Sequence, residues 1–277
     1  MIKPGEIQQK ARAVGVRDQQ IEKDYMLSWI LQGIAQHEYL SKVIVFKGGT
    51  VLKKVYFEDY RFSEDLDFTL LDNNITNEQI FDWFSEIFEF VQDEANIPFE
   101  ITDNNEHGDG GINFYISYIG PLGGLGANKR VKIDIARAEQ IVFEPIKQNI
   151  FLNYSDQEEH QLLCYSLEES LVEKMRSVMQ RMQARDFYDI WYLLEIHGMD
   201  VDFYINEFKT KCESKGLDAS HFFDKLEHRL PQYKGRWQKS MKEQIHDLPE
   251  FDQVERELHR HFKKTKSIKL PQEIRSL

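Results

Sequence analysis

Two short stretches of this chain carry residues that could do chemistry together. One is Phe46-Lys47-Gly48-Gly49-Thr50; the other is Arg61-Phe62-Ser63-Glu64-Asp65-Leu66-Asp67-Phe68. Asp65 and Asp67 stand two apart among apolar neighbours, and in a strand such residues point to the same side. Two carboxylates aimed at one spot repel unless a cation lies between them. A hard ion such as Mg²⁺ takes carboxylate oxygens together with substrate phosphates. Alone, an Asp-x-Asp pair reads equally well as a solvated strand edge. The adjacent glycines upstream weigh against that, because they let the backbone turn sharply and bring N–H groups close to a phosphate. A third acid, Asp134, lies in Arg130-Val131-Lys132-Ile133-Asp134-Ile135-Ala136. A lone carboxylate between isoleucines needs a metal, a partner or water.

The elements that must position these residues follow from periodicity. Val43 to Phe46 reads as a buried strand, and Thr50 to Tyr56 as a short helix with Thr50 as its cap. Residues 1 to about 38 carry helical spacing, with Ile21, Tyr25, Met26, Trp29, Ile30 and Ile34 on one stripe. Glu78 to Ala95 predicts a helix whose aromatic face is core. Phe99–Thr102 and Ile112–Tyr118 read as strands around a polar loop, Asp103–Gly111. Gly120–Asn128 is a second glycine-rich loop, read as a flexible hairpin rather than a phosphate cradle. Alternation in Arg130–Ala136 puts Arg130, Lys132 and Asp134 on one face.

Beyond about Ser155 the pattern becomes helical, and no further strand is expected. Leu167 to Met182 carries an apolar stripe flanked by Lys174, Arg181 and Arg185. From its residues alone, Lys174 reads as a solvated lysine, and Asp186 as an N-cap or a partner of Arg185. Pro231, Pro249 and Pro271 read as punctuation. Residues 256–269 are basic (Arg256, Arg260, Lys263, Lys264, Lys266, Lys269). That charge suits an RNA backbone, although a solvated terminal helix is the plainer reading.

Composition narrows the options. The chain has 277 residues, enough for a sizeable core, and a net charge of −12, which argues against non-specific coating of nucleic acid. Cys164 and Cys212 give neither a disulfide framework nor a metal spacing. With no signal-like opening and no membrane-length apolar run, the expectation is a cytoplasmic protein. The expected class is α+β: a mixed sheet flanked by helices over residues 1–158, then a helical C-terminal domain over 159–277.

Gly-Gly-Thr, Asp-x-Asp and a later apolar-Asp-apolar strand resemble the nucleotidyltransferase fold of the polymerase β type. Together with Ile21-Glu22-Lys23-Asp24-Tyr25, Glu173-Lys174-Met175-Arg176 and Arg185-Asp186-Phe187-Tyr188-Asp189-Ile190-Trp191, these words resemble the nucleotidyltransferase AbiEii/AbiGii toxin family. The resemblance implies that Asp65, Asp67 and Asp134 form the metal-holding triad, with Mg²⁺ or Mn²⁺ as cofactor and an NTP as substrate. It implies a nucleotide-contacting role for Lys174 and a functional acid at Asp186, favoured over Asp189. It implies that the Glu22–Tyr25 word packs against the catalytic sheet. Gly48, Gly49, Thr50 and Ser63 are expected around the phosphates; Arg61 either touches phosphate or pairs with an acid.

The activity implied is transfer of a nucleoside monophosphate to an acceptor hydroxyl, releasing pyrophosphate. The implied setting is a bacterial toxin–antitoxin or abortive-infection system with a separately encoded antitoxin and tRNA as the leading acceptor. Protein or small-molecule nucleotidylation, or a non-catalytic nucleotide-binding module, are the alternatives.

Overall fold

The computed structural model describes residues 1–267 except 109, 125, 127 and 128, and the side chains of 264–267 are likewise outside it. The chain divides into two compact units. The first comprises Met1–Glu139, Glu144–Ser166 and Glu243–His246; the second comprises Gln140–Phe143, Leu167–Lys242 and Asp247 onward.

The first unit is built on a seven-stranded mixed sheet. Its strands are β1 (Ile44–Lys47), β2 (Asp65–Leu70), β3 (Phe99–Glu106), β4 (Ile112–Tyr118), β5 (Arg130–Ala136), β6 (Ile146–Asn149) and β7 (Gln161–Cys164), in the order β3-β4-β5-β2-β1-β7-β6. β2 runs parallel to β5 and β1 parallel to β7, and the other neighbours are antiparallel. β4 and β5 alternate buried and part-exposed residues along their length. One face of the sheet is therefore core, and the other is polar.

The helices of this unit are α1 (Pro4–Val14), which packs on α2, and α2 (Asp18–Gln36), α3 (Leu40–Val43), α4 (Gly48–Val51) and α5 (Asn77–Ala95), which contact the sheet. Thr76 and Gln79 close a reciprocal capping box at the start of α5. Phe84 meets Phe114 of β4 edge-on at 4.9 Å, so the aromatic stripe is core, as its spacing predicts. α2 is buried on nearly every side rather than along one stripe.

Three local expectations need correction. Thr50 does not cap a helix: α4 begins at Gly48 after Lys47 and widens at Leu52–Tyr56 into a π turn, with Phe57 N–H donating to Leu52 O at 2.9 Å. β3 continues to Glu106 through residues that read as loop, because β4 supplies a ladder partner for Asp103, Asn104 and Asn105. β7 forms beyond Ser155, where no further strand is expected, and β6 forms in a stretch to which the sequence pattern assigns no element. Their four-residue lengths carry little pattern, and β7 exists by pairing Cys164 with Phe46 of β1.

The second unit holds α6 (Leu167–Gln180), α7 (Ala184–Trp191), α8 (Ile205–Glu213), α9 (Phe222–Met241) and α10 (Phe251–Ser267). Its core is aromatic: Phe187 stacks on Tyr233 at 5.2 Å and on Phe251 at 5.5 Å, with Trp237 against both Phe187 and Phe251. Pro231 does not punctuate; it lies exposed inside α9. Both cysteines are free and buried, and burial pushes the Cys164 thiol up to about 12. Among the described residues no helix is long and apolar enough to cross a membrane.

Candidate active site

The polar face of the sheet brings the three acids together by register. Asp67 on β2 is the direct partner of Asp134 on β5, and Asp65 lies opposite Lys132. Lys47 at the end of β1 pairs with Asp67, and Asn113 on β4 pairs with Asp134. A row Lys47–Asp67–Asp134–Asn113 thus crosses four strands, with Asp65 and Lys132 two residues along on the same side. All three acids are part-exposed.

Lys132 is a cation set among them. Its Nζ donates to Asp134 Oδ2 at 2.8 Å. Burial works against its charge, but the Asp134 bond and the charges of Asp134, Asp65 and Asp67 outweigh it and raise the lysine above its usual range. The donor set is the kind a hard divalent ion takes, three carboxylates on one face, and in that chemistry the residues fit the implied metal. As the side chains stand, no three His, Cys, Asp or Glu groups among the described residues close on a common ion position. Lys132 is a charge that all three acids feel.

The glycine turn is built for close approach. Gly48 has φ +82°, and a Cβ there would lie 2.2 Å from Asp67 Oδ2. Any side chain at Gly48 would therefore strain the backbone and drive Asp67 out of place. A Cβ at Gly49 would come within 2.6 Å of the Arg61 guanidinium. Arg61 is 1% exposed and lies behind the turn, donating to Phe62 O at 3.2 Å and to Gln244 Oε1 at 3.0 Å. The Thr50 hydroxyl donates to the Asp65 carbonyl at 2.5 Å and so clamps the turn to the acid strand. Ser63 is buried two residues ahead of Asp65.

The Glu22–Tyr25 word ties four parts of the first unit together. Glu22 accepts from Leu122 N–H at 2.8 Å and pairs with Lys129, anchoring both ends of the second glycine loop. Lys23 pairs with Glu64, next to Asp65, at 3.0 Å. Asp24 receives the wholly buried Lys54 at 2.6 Å and the Tyr154 hydroxyl at 2.7 Å. Tyr25 donates to Asp156 at 2.6 Å.

Glu139 escapes sequence reasoning. Its carboxylate pairs with Lys47 and accepts from Thr69 Oγ1 at 2.8 Å and Tyr165 at 3.3 Å. It follows Ala138, a non-glycine residue at φ 49°, a backbone state no sequence pattern announces. Lys47, in register with Asp67, went equally unmarked within its glycine word.

Lys174 and Asp186 belong to the second unit, where they form their own cluster. Lys174 is not solvated but buried, with Nζ 2.9 Å from Asp186 and 2.7 Å from Asp189. Asp186 is not the N-cap of α7, which is Gln183; its carboxylate also receives Arg181 at 2.8 Å. Burial opposes the Asp186 charge, but Lys174 and Arg181 prevail and hold its carboxyl below the usual range. Asp189 shares Lys174, so the two acids act as a pair. Arg260 of the basic tail pairs with Glu195, whereas Arg256 and Lys263 are exposed; the side chains of Lys264 and Lys266, and Lys269, lie outside the described residues.

A glycine turn pressed against paired strand carboxylates, on a mixed sheet of this order, is the arrangement of a nucleotidyltransferase fold. The chain belongs to the family described as the nucleotidyl transferase AbiEii toxin of type IV toxin–antitoxin systems, whose model matches residues 29–257. Solved structures agree on the fold. The nucleotidyltransferase toxin MenT4 from Mycobacterium tuberculosis is 20% identical with a TM-score of 0.55, covering 70% of this chain and 64% of its own. JHP933 from Helicobacter pylori is 16% identical with a TM-score of 0.54, covering 91% of this chain and 97% of its own. This chain thus spans less than two thirds of MenT4. No curated protein matches it.

Proposed function

We propose that the polar sheet face transfers a nucleoside monophosphate from an NTP to an acceptor hydroxyl, with a tRNA 3′ end as acceptor. The observation that carries this reading is the direct pairing of Asp67 with Asp134 beside a turn where any Cβ at Gly48 would strike Asp67. Asp65, Asp67 and Asp134 would hold a divalent ion, Mg²⁺ or Mn²⁺, which supplies charge neutralisation at the attacking and leaving oxygens.

In the reaction, the acceptor oxygen bonds to the α-phosphorus as the bond from that phosphorus to the α–β bridging oxygen breaks. Pyrophosphate leaves, and the hydroxyl proton passes to solvent or to a carboxylate of the acid face. Such transfers rest on positioning and electrostatics. The Gly48 and Gly49 amides and the Ser63 hydroxyl would orient the β and γ phosphates, while Thr50 and Arg61 hold the turn that presents them. For Lys174 the proposed task is to favour the leaving pyrophosphate, with Asp186 and Asp189 fixing its charge. The proposed partner is a separately encoded antitoxin, the second component of the family's toxin–antitoxin systems.

Purified protein would be incubated with Mg²⁺, each labelled NTP in turn, and total bacterial tRNA or total protein. Label on tRNA 3′ ends is the expected result. Label on protein alone would move the acceptor to a protein side chain, and no labelled product with any NTP would overturn the transfer reading.

A further inference from the structure

Lys132 has no part in the transfer just described, yet it sits at the centre of the acid face. It shares that face with Asp65, Asp67 and Asp134, lies opposite Asp65 in the ladder, and bonds Asp134 at 2.8 Å. Its side chain is only 30% exposed, and so is held within the cluster rather than extended into water. A lysine at this register puts a permanent positive charge where a divalent ion would need the same oxygens.

We propose that Lys132 is a built-in counter-cation of the acid face, so that a divalent ion binds there only in competition with the lysine ammonium for Asp134. The inference rests on the reading of Asp65, Asp67 and Asp134 as metal-holding acids. Its consequence is weak metal binding by the protein alone, with strong binding reserved for metal that arrives with nucleotide phosphates contributing oxygens. Charge repulsion between Lys132 and an incoming divalent cation works in the same direction, and at ~4 Å it amounts to roughly a thirtyfold penalty even at the dielectric of water.

The test uses the full chain and Mn²⁺ alone, without nucleotide, followed by the electron paramagnetic resonance signal of free Mn²⁺. Lys132→Met is expected to bind Mn²⁺ about thirtyfold more tightly than the native chain. Lys132→Arg, which keeps the charge, should stay within about twofold of native. Unchanged or weaker Mn²⁺ binding in a folded Lys132→Met, verified by its melting temperature, would overturn the proposal. Adding Asp65→Asn to Lys132→Met separates the two readings. If Mn²⁺ binding survives that change, the acids are not the metal site, and the functional reading falls together with the inference. If Asp65→Asn abolishes binding while Lys132→Met has not tightened it, only the inference falls.

Discussion

Two clusters of opposed charge, one in each unit, are built differently. On the sheet face of the first unit, Asp65, Asp67 and Asp134 are part-exposed and gathered by strand register around Lys132. In the second unit, Lys174 is locked between Asp186 and Asp189, with both acids wholly buried. A buried ion cluster is kept folded by mutual compensation, so loss of one member leaves a charge stranded. An open face of carboxylates is held by its backbone ladder, and a single carboxylate can change there with little cost to the fold. The difference separates residues whose loss should unfold the protein from residues whose loss should silence it.

The largest expected effect on stability is in the second unit. Lys174→Met should destabilise by ~3–5 kcal/mol, because Asp186 and Asp189 lose the cation they share. In a chain of this size that lowers the melting temperature by roughly 6–20 °C, on the order of 2–4 °C per kcal/mol. A melting temperature unchanged in calorimetry would show that the cluster does not hold the second unit together, and would free Lys174 for a purely catalytic part. Lys174→Ala cannot therefore be read from activity alone.

Gly48→Ala comes next, at about 1–3 kcal/mol for a side chain forced into positive φ. Its loss of transfer activity should exceed what that destabilisation explains, since the new methyl displaces the Asp67 carboxylate. Full activity would mean that Asp67 is not needed where it stands.

Acid sharpens the contrast. The carboxyl of Asp186 is held below its usual range by Lys174 and Arg181 in the folded chain, against burial. Its contribution is therefore complete above the ordinary carboxylate pKa of about 4 and is lost as pH falls below that toward the folded value. The stability gap between the native chain and Asp186→Asn, followed by thermal melts across pH, should be constant near neutrality and narrow below about pH 4. A gap that does not narrow would mean the ion cluster is not what Asp186 contributes.

The smallest effect belongs to Lys23→Ala. Its pair with Glu64 is part-exposed and worth about 0–1 kcal/mol. A large loss of activity without loss of stability would show that Glu64 must be held for the neighbouring Asp65 to work.

How much of this was legible in the sequence differs between the same two regions. Alternation marked Ile112–Tyr118 and Arg130–Ala136 with the bounds the structure gives, and so placed Asp134 and Lys132 on one face. It marked Asp65 and Asp67 likewise, because strand periodicity is a local property. The burial of Lys174 was not legible: its partners are 12 and 15 residues away on another helix, and helical spacing alone left it on a solvated flank. Glu139 depends on a positive φ at Ala138 and on the meeting of β1 with Tyr165, neither of which local pattern encodes. β7 was missed for a related reason, since four residues become a strand only when β1 is there to pair with them.

The most direct measurement compares native protein and Asp65→Ala in the labelled-nucleotide transfer assay, with melting temperatures taken on the same preparations. The account predicts a fall in transfer of at least about 10²- to 10³-fold, with the melting temperature nearly unchanged. Transfer retained in a folded Asp65→Ala protein would contradict it.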